Sequence, residues 1–209
     1  VTSDILSRVD APVHVAHAFT VHALDTEVDF FTVVDDLARD EETGAAHAND
    51  MELGAGLFYG YVAVDVPLLV SNLTGCKPEE WREQDTRSAR ELLGLLVRAI
   101  AEVSPGAKLG ATAPHARAAW LMLEAGESQP RSLANAFLQP VRLDGESHPV
   151  DRSLQALASH LDELEAMYGD TGERRVVAST RAWPRDDVPV RPLDGAISGA
   201  LDHVFGSAP

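Results

Sequence analysis

The stretch from Val13 to Leu37, VHVAHAFTVHALDTEVDFFTVVDDL, constrains the fold most and reads as two β-type runs. Its first run alternates Val and Ala with His14, Phe19 and His22. Its second carries the pair Phe30-Phe31, followed by Thr32-Val33-Val34. β-Branched and aromatic residues suit a pleated, half-buried surface. The acidic corner Asp25-Thr26-Glu27 separates the runs and predicts a hairpin folded about it, ending near Leu37. On these residues alone a core hairpin is the favoured reading. The alternative is a ribbon that wedges aromatic rings between nucleic-acid bases.

The remainder alternates strand and helix signals. Ala38 to Met51 is acidic, rich in Ala and Gly and without apolar period, which predicts an exposed loop. Leu53 to Val66 reads as a strand, with Asp65 and Pro67 limiting its end. A helix capped by Asp85 or Thr86 follows, with Leu92, Leu93, Leu96, Val97 and Ile100 as its apolar stripe and Pro105-Gly106 closing it. Ala118–Leu123 reads as a buried strand and Leu133–Leu138 as a short helical turn or strand edge, with Arg142–Pro149 a loop. Val150, Leu154, Leu157, Leu161, Leu164 and Tyr168 define an amphipathic helix ended by Gly169. Val176–Trp183 is a strand, Pro184–Pro192 a connector, and Leu193 to Val204 a final short helix. The pattern is α+β, with no Gly-rich strand-to-helix turn.

Charge narrows the function. A net charge of −16 and a pI near 4.7 are unlike those of a free-standing nucleic-acid binder, which presents a basic face. Between Asp25 and Glu52 there are ten acidic residues against one basic residue, Arg39. Cys76 is the only cysteine, so no internal disulfide and no thiolate metal cluster can form. No apolar run approaches the roughly 20 residues needed to span a bilayer. The chain begins at Val1 without a charged-then-apolar leader, and a cytoplasmic protein without membrane contact is expected.

Several motifs occur together in a meaningful order. They are Ala16-His17-Ala18 through Val21-His22, Asp29-Phe30-Phe31-Thr32, and Val34-Asp35-Asp36-Leu37. Leu57-Phe58-Tyr59 with Tyr61, Pro105-Gly106-Ala107-Lys108, and Ser132-Leu133-Ala134-Asn135-Ala136-Phe137 with Pro140-Val141 follow. In this order they resemble the repeated backbone subunit of the type I-E CRISPR surveillance complex Cascade, the CasC family. The resemblance covers residues 13 to 141 and fits the C-terminal helices more loosely. It implies part of an RRM-like or ferredoxin-like palm, a projecting β-hairpin thumb and C-terminal helices. Residues 1–37 would be the thumb-like segment, 38–52 an acidic loop, and 53–209 the C-terminal part of the palm with its helices. Because family members are longer and carry many basic RNA contacts in their N-terminal part, the chain is expected to be a C-terminal portion of such a subunit.

The resemblance also implies a role: non-catalytic binding of crRNA, with copies stacked head to tail along the guide beside other Cascade subunits. Target DNA would be read by pairing with the guide rather than by the protein. By motif match, Phe30, Phe31 and Thr32 pack against the kinked guide. Adjacent strand residues point to opposite faces, so one phenylalanine, Phe31 by preference, meets RNA. Lys108 pairs with a phosphate or complements a helix C-terminus. Asn135 reads as structural. Two departures remove possible RNA contacts: Gly60 stands where relatives often have arginine, and Leu109-Gly110-Ala111 where they tend to be aromatic.

Other chemistries find less support. His14, His17 and His22 with Asp25 and Asp29 lack a metal-binding framework, and in a strand residues 14 and 17 face opposite sides. Asp35-Asp36 and Ser132 have neither a spaced partner nor a strained-turn motif for hydrolysis. No catalytic residue, metal or cofactor is expected. The alternative to RNA binding is an acidic protein–protein interaction module or scaffold.

Overall fold

The computed structural model describes residues 10–23, 26–32, 48–104, 113–144, 146–169 and 171–206. Its N-terminal part forms one interrupted, two-stranded antiparallel ladder. β1 (Val13–Val15) pairs with β6 (Val62–Val64), β2 (Phe19–Thr20) with β5 (Phe58–Tyr59), and β3 (Thr26–Thr32) with β4 (Ala48–Gly54). The pairs are nested: Val13 faces Val64, Phe19 faces Tyr59, Thr26 faces Gly54 and Thr32 faces Ala48. Residues 13–32 therefore run out along an arm and residues 48–64 run back.

This differs from the hairpin expected about Asp25-Thr26-Glu27. The two β-type runs lie end to end on the outgoing side and do not pair with each other. Their partner is hidden in composition, since β4 reads ANDMELG, with two carboxylates and little β propensity. The backbone ladder of β3 holds it in register. The last five residues of the expected acidic loop, 48–52, are thus strand, and its residues 38–47 lie outside the described residues. Leu53 to Val66 is likewise not one strand but parts of β4, β5 and β6 and the first residue of a helix.

Two slips in register interrupt the ladder. Ala16 N–H donates to Tyr61 O at 2.9 Å, after which His17 and Ala18 stand against the single Gly60. Extra residues of this kind bend a strand and raise its twist. Further out, the register shifts by two residues between the Thr20–Phe58 and Thr26–Gly54 pairs. Val21 N–H still donates to Leu57 O at 2.9 Å, but Val21 O accepts from Val141 N–H at 2.8 Å. The Leu57 amide therefore lacks its usual backbone acceptor and donates to His22 Nε2 at 2.9 Å. Because Nε2 accepts, the ring proton sits on Nδ1, 2.7 Å from Ala23 O. A buried imidazole replaces a missing rung.

Behind the arm lies a helical body. Asp65 caps α1 (Val66–Thr74) by accepting from Leu68 N–H at 2.9 Å, and Gly75 ends it with a left-handed φ of 77°. A 3-10 turn over Pro78–Glu83 places Trp81 edge-on to Phe205, ring centroids 6.0 Å apart. In α2 (Arg87–Glu102) the Asp85 carboxylate, rather than the Thr86 hydroxyl, accepts from the Arg87 amide at 3.1 Å. β7 (Trp120–Ala125) and β8 (Arg174–Ser179) form an antiparallel ribbon.

Each face of that ribbon meets helix. Trp120, Met122 and Val177 join Leu154, Leu157 and Leu161 of α3 (Pro149–Tyr168) in the largest core cluster. Leu123 packs with Leu93 of α2 and with Ile197 and Leu201 of α4 (Leu193–Phe205). Among the described residues, no helix is long and apolar enough to cross a membrane.

Candidate nucleic-acid interface

The arm carries the motif residues in a defined order. Phe30, Phe31 and Thr32 are consecutive positions of β3, opposite Asp50, Asn49 and Ala48 of β4. They occupy its outer part, beyond the His22 rung. Lys108, the other expected RNA contact, and the Asp35-Asp36 pair lie outside the described residues.

At the arm's foot the matched segments converge. Phe19 and Tyr59 face each other across the ladder with ring centroids 5.5 Å apart, and Phe137 lies 6.3 Å and 5.6 Å from them. Phe137 belongs to a 3-10 turn, Ala134–Phe137, whose entry is fixed by the Leu133 amide donating to Tyr59 Oη at 2.9 Å. The Ser132-to-Phe137 motif is thus the bracket that seats the arm on the body. Ser132 Oγ accepts from the Ala134 amide at 3.2 Å and lies 3.4 Å from Tyr59 Oη, a turn role rather than a nucleophile's. Asn135 uses its carbonyl to accept from Leu138 N–H at 3.2 Å, while the residue itself stays exposed. That Phe19, Tyr59 and Phe137 pack together was not legible in the sequence, because each stood in a separate motif.

The three histidines separate. His14 and His17 are exposed on the arm, while His22 is buried in its rung. Among the described residues, no group of three or more His, Cys, Asp or Glu is placed to hold a metal ion. Burial, then the neighbouring Tyr59, pushes the Tyr61 phenol up.

Charge is distributed unevenly. Residues 11–24 and 53–64, the inner arm, contain no Asp, Glu, Lys or Arg, although the chain carries a net charge of −16. The body, in contrast, ties three of its arginines, Arg131, Arg175 and Arg185, to internal carboxylates. Arg175 Nε donates to Glu124 at 2.5 Å and its other nitrogens reach Glu165 and Glu173. Arg131 reaches Glu124 at 3.4 Å and Glu173 at 3.7 Å. Arg185 joins Asp162, Glu165 and Asp187 at 2.8, 2.7 and 2.6 Å. These hydrogen bonds hold Arg185 firmly protonated and Asp187 below the usual carboxylate range. Guanidinium groups held this way are not free to meet phosphate.

Comparison with known proteins decides the family. The sequence profile of the CT1975-like protein family matches residues 1–201. The chain belongs to the CT1975-like family. This bears out the resemblance read from the sequence, that of a backbone subunit of CRISPR surveillance complexes. Two solved structures resemble this CT1975-like protein closely. One, a chain of a CRISPR RNA-guided surveillance complex, has a TM-score of 0.75 and 28% identity over 97% of this chain and 76% of its own. Another, from such a complex in a pre-nicking state, has a TM-score of 0.73 and 30% identity over 93% of this chain and 51% of its own. No curated protein matches the sequence.

Proposed function

We propose that this protein is a non-catalytic crRNA-binding backbone subunit of a type I-E CRISPR surveillance complex. The observation that carries the reading is membership of the CT1975-like family over residues 1–201, with structural neighbours in RNA-guided surveillance complexes. In this reading the body is part of an RRM-like palm and the β3–β4 ribbon is the thumb. Phe30, Phe31 and Thr32 pack against the kinked guide, with Lys108 on a phosphate. Copies follow one another head to tail along one guide in the cytoplasm, beside the other subunits. A heterologous contact of that kind grows until something caps it. The guide pairs with target DNA and supplies the sequence specificity.

Purification from cells carrying the neighbouring subunits, followed by sequencing of co-purified RNA, tests this. Discrete repeat-flanked guides are expected; absent or random RNA overturns guide binding. In the assembled complex, Phe31→Ala is expected to weaken target capture and blur the periodic nuclease protection of the guide. Unchanged capture with unchanged protection removes Phe31 from the interface.

A second reading, an acidic interaction module that does not touch RNA, draws on the net charge of −16 and the internally paired arginines. Salt separates the two. RNA binding weakens steeply as salt rises, and an apolar protein contact does not.

A further inference from the structure

Phe58 is a large aromatic side chain of the inner arm that the fold leaves exposed. It is 56% exposed, and among the described residues it belongs to no core cluster and to no ring pair. Its neighbours explain why. Phe19 and Tyr59 face each other and turn toward Phe137, so Phe58 and its partner Thr20 occupy the opposite face of the ladder. Two residues before and two after Phe58 stand glycines. A side chain at Gly56 would start 3.0 Å from Thr20 Cγ2 and 3.2 Å from the His22 ring, so that position must stay small. At Gly60 a Cβ would meet nothing within 4 Å. The Thr20 methyl and the His22 ring therefore fill the space over Gly56, and the Gly60 side of the phenyl ring is open.

We infer that Phe58 is a stacking ledge for one unpaired RNA base at the foot of the arm. The inference rests on the RNA-binding reading above and adds a residue to it. Three observations favour a base over a protein side chain. Open space over Gly60, where a Cβ would meet nothing within 4 Å, leaves room for a flat group reaching past the phenyl ring. The surrounding inner arm has no carboxylate to repel a phosphate, in a chain otherwise crowded with them. The ledge also lies on the same arm as Phe30-Phe31-Thr32, separated from them by the His22 rung, so a strand passing the tip can continue to it. Stacking on a phenyl ring needs no particular base, which suits a guide of arbitrary sequence.

The test compares the wild-type chain with Phe58→Ala, Phe58→Leu and Phe58→Trp. Each is titrated with a labelled, mixed-sequence single-stranded RNA at one fixed salt concentration. Phe58 is exposed, so all three variants are expected to keep the wild-type melting temperature. Ala and Leu should each weaken binding about fivefold or more, the loss of one base stack, and Trp should retain it. In Phe58→Trp, emission from the introduced indole should also be quenched as RNA binds. Full affinity in the Leu variant would overturn the ledge in favour of an apolar protein contact, and full affinity in both Ala and Leu would overturn it outright. Either result leaves the RNA-binding reading standing. A wild-type chain that does not bind the RNA at all removes both.

Discussion

The arm and the body hold their shape by opposite means. In the body, three arginines and five carboxylates, Glu124, Glu165, Glu173, Asp162 and Asp187, are tied together above a ribbon covered on both faces by helices. The inner arm has no such charges. It relies on a backbone ladder, one imidazole rung and an aromatic seat. Its strands stay open to solvent, with Val15 73% exposed against complete burial for Leu161 and Val177. Two-stranded ribbons are marginal alone. The body is therefore the stable unit, and the arm is held by a few points on it. On the proposed RNA-binding reading that division suits an arm that closes over the guide, since binding segments come from the low-stability end of a fold.

The largest effect that would sharpen this contrast is on the body. Arg175→Met is expected to cost about 3 kcal/mol, because it takes one cation out of a largely buried cluster and leaves Glu124 with only Arg131 and Glu165 with only Arg185. The Arg175 side chain is only 12% exposed, which sets it apart from a surface pair. Urea unfolding measures the cost. A loss under about 1 kcal/mol would mean the cluster behaves as solvated surface charge.

His22→Ala is the matching test for the arm, with an expected cost of about 2 kcal/mol for the orphaned Leu57 amide. Hydrogen exchange should show that amide losing protection while Leu157 and Val177 keep theirs. If protection falls across the body as well, arm and body are one cooperative unit and the comparison breaks. Gly56→Ala strikes the same rung from the other strand. Its Cβ would crowd Thr20 and the His22 ring, at an expected cost of about 1 kcal/mol. Gly60→Ala, with open space around it, should change melting by no more than the scatter between preparations.

These two regions were not equally legible in the sequence. α3 was visible because its signal is local: Leu154, Leu157 and Leu161 recur at helical spacing, and all three are buried in the helix Pro149–Tyr168. α1 was missed because Val66–Val70 (VPLLV) continues the apolar run of Val62-Ala63-Val64, and only Asp65 and Pro67 mark the change. The arm's outgoing strand was legible by its β-branched and aromatic content, and its return strand was not, since β4 owes its conformation to pairing. Register slips leave no trace in composition either, so the role of His22 as a rung emerged only from the ladder. The arginine cluster is non-local: Arg175 reaches across 51 positions to Glu124 and 10 to Glu165.

A smaller effect than that of Arg175 lies at the edge of that cluster and turns on pH. Arg185 donates from Nε and a terminal nitrogen to the two oxygens of Asp187, at 2.9 and 2.6 Å. These hydrogen bonds, opposed by burial and aided by the opposite charge, hold the Asp187 carboxyl below its ordinary value. A carboxyl whose folded-state value is depressed adds stability above its unfolded value, near 3.9, and loses it as pH falls through the folded one. Wild type should therefore exceed Asp187→Asn by a constant margin from neutral pH down to about pH 5, with the margin closing below about pH 4. It should stay under about 1 kcal/mol, because the Asp187 side chain is 57% exposed and Arg185 keeps Glu165 and Asp162 after the substitution. Urea midpoints across that pH range give the answer. A margin that widens toward acid would mean that Asp187 is strained in the folded state and that Arg185 is held by the α3 carboxylates alone.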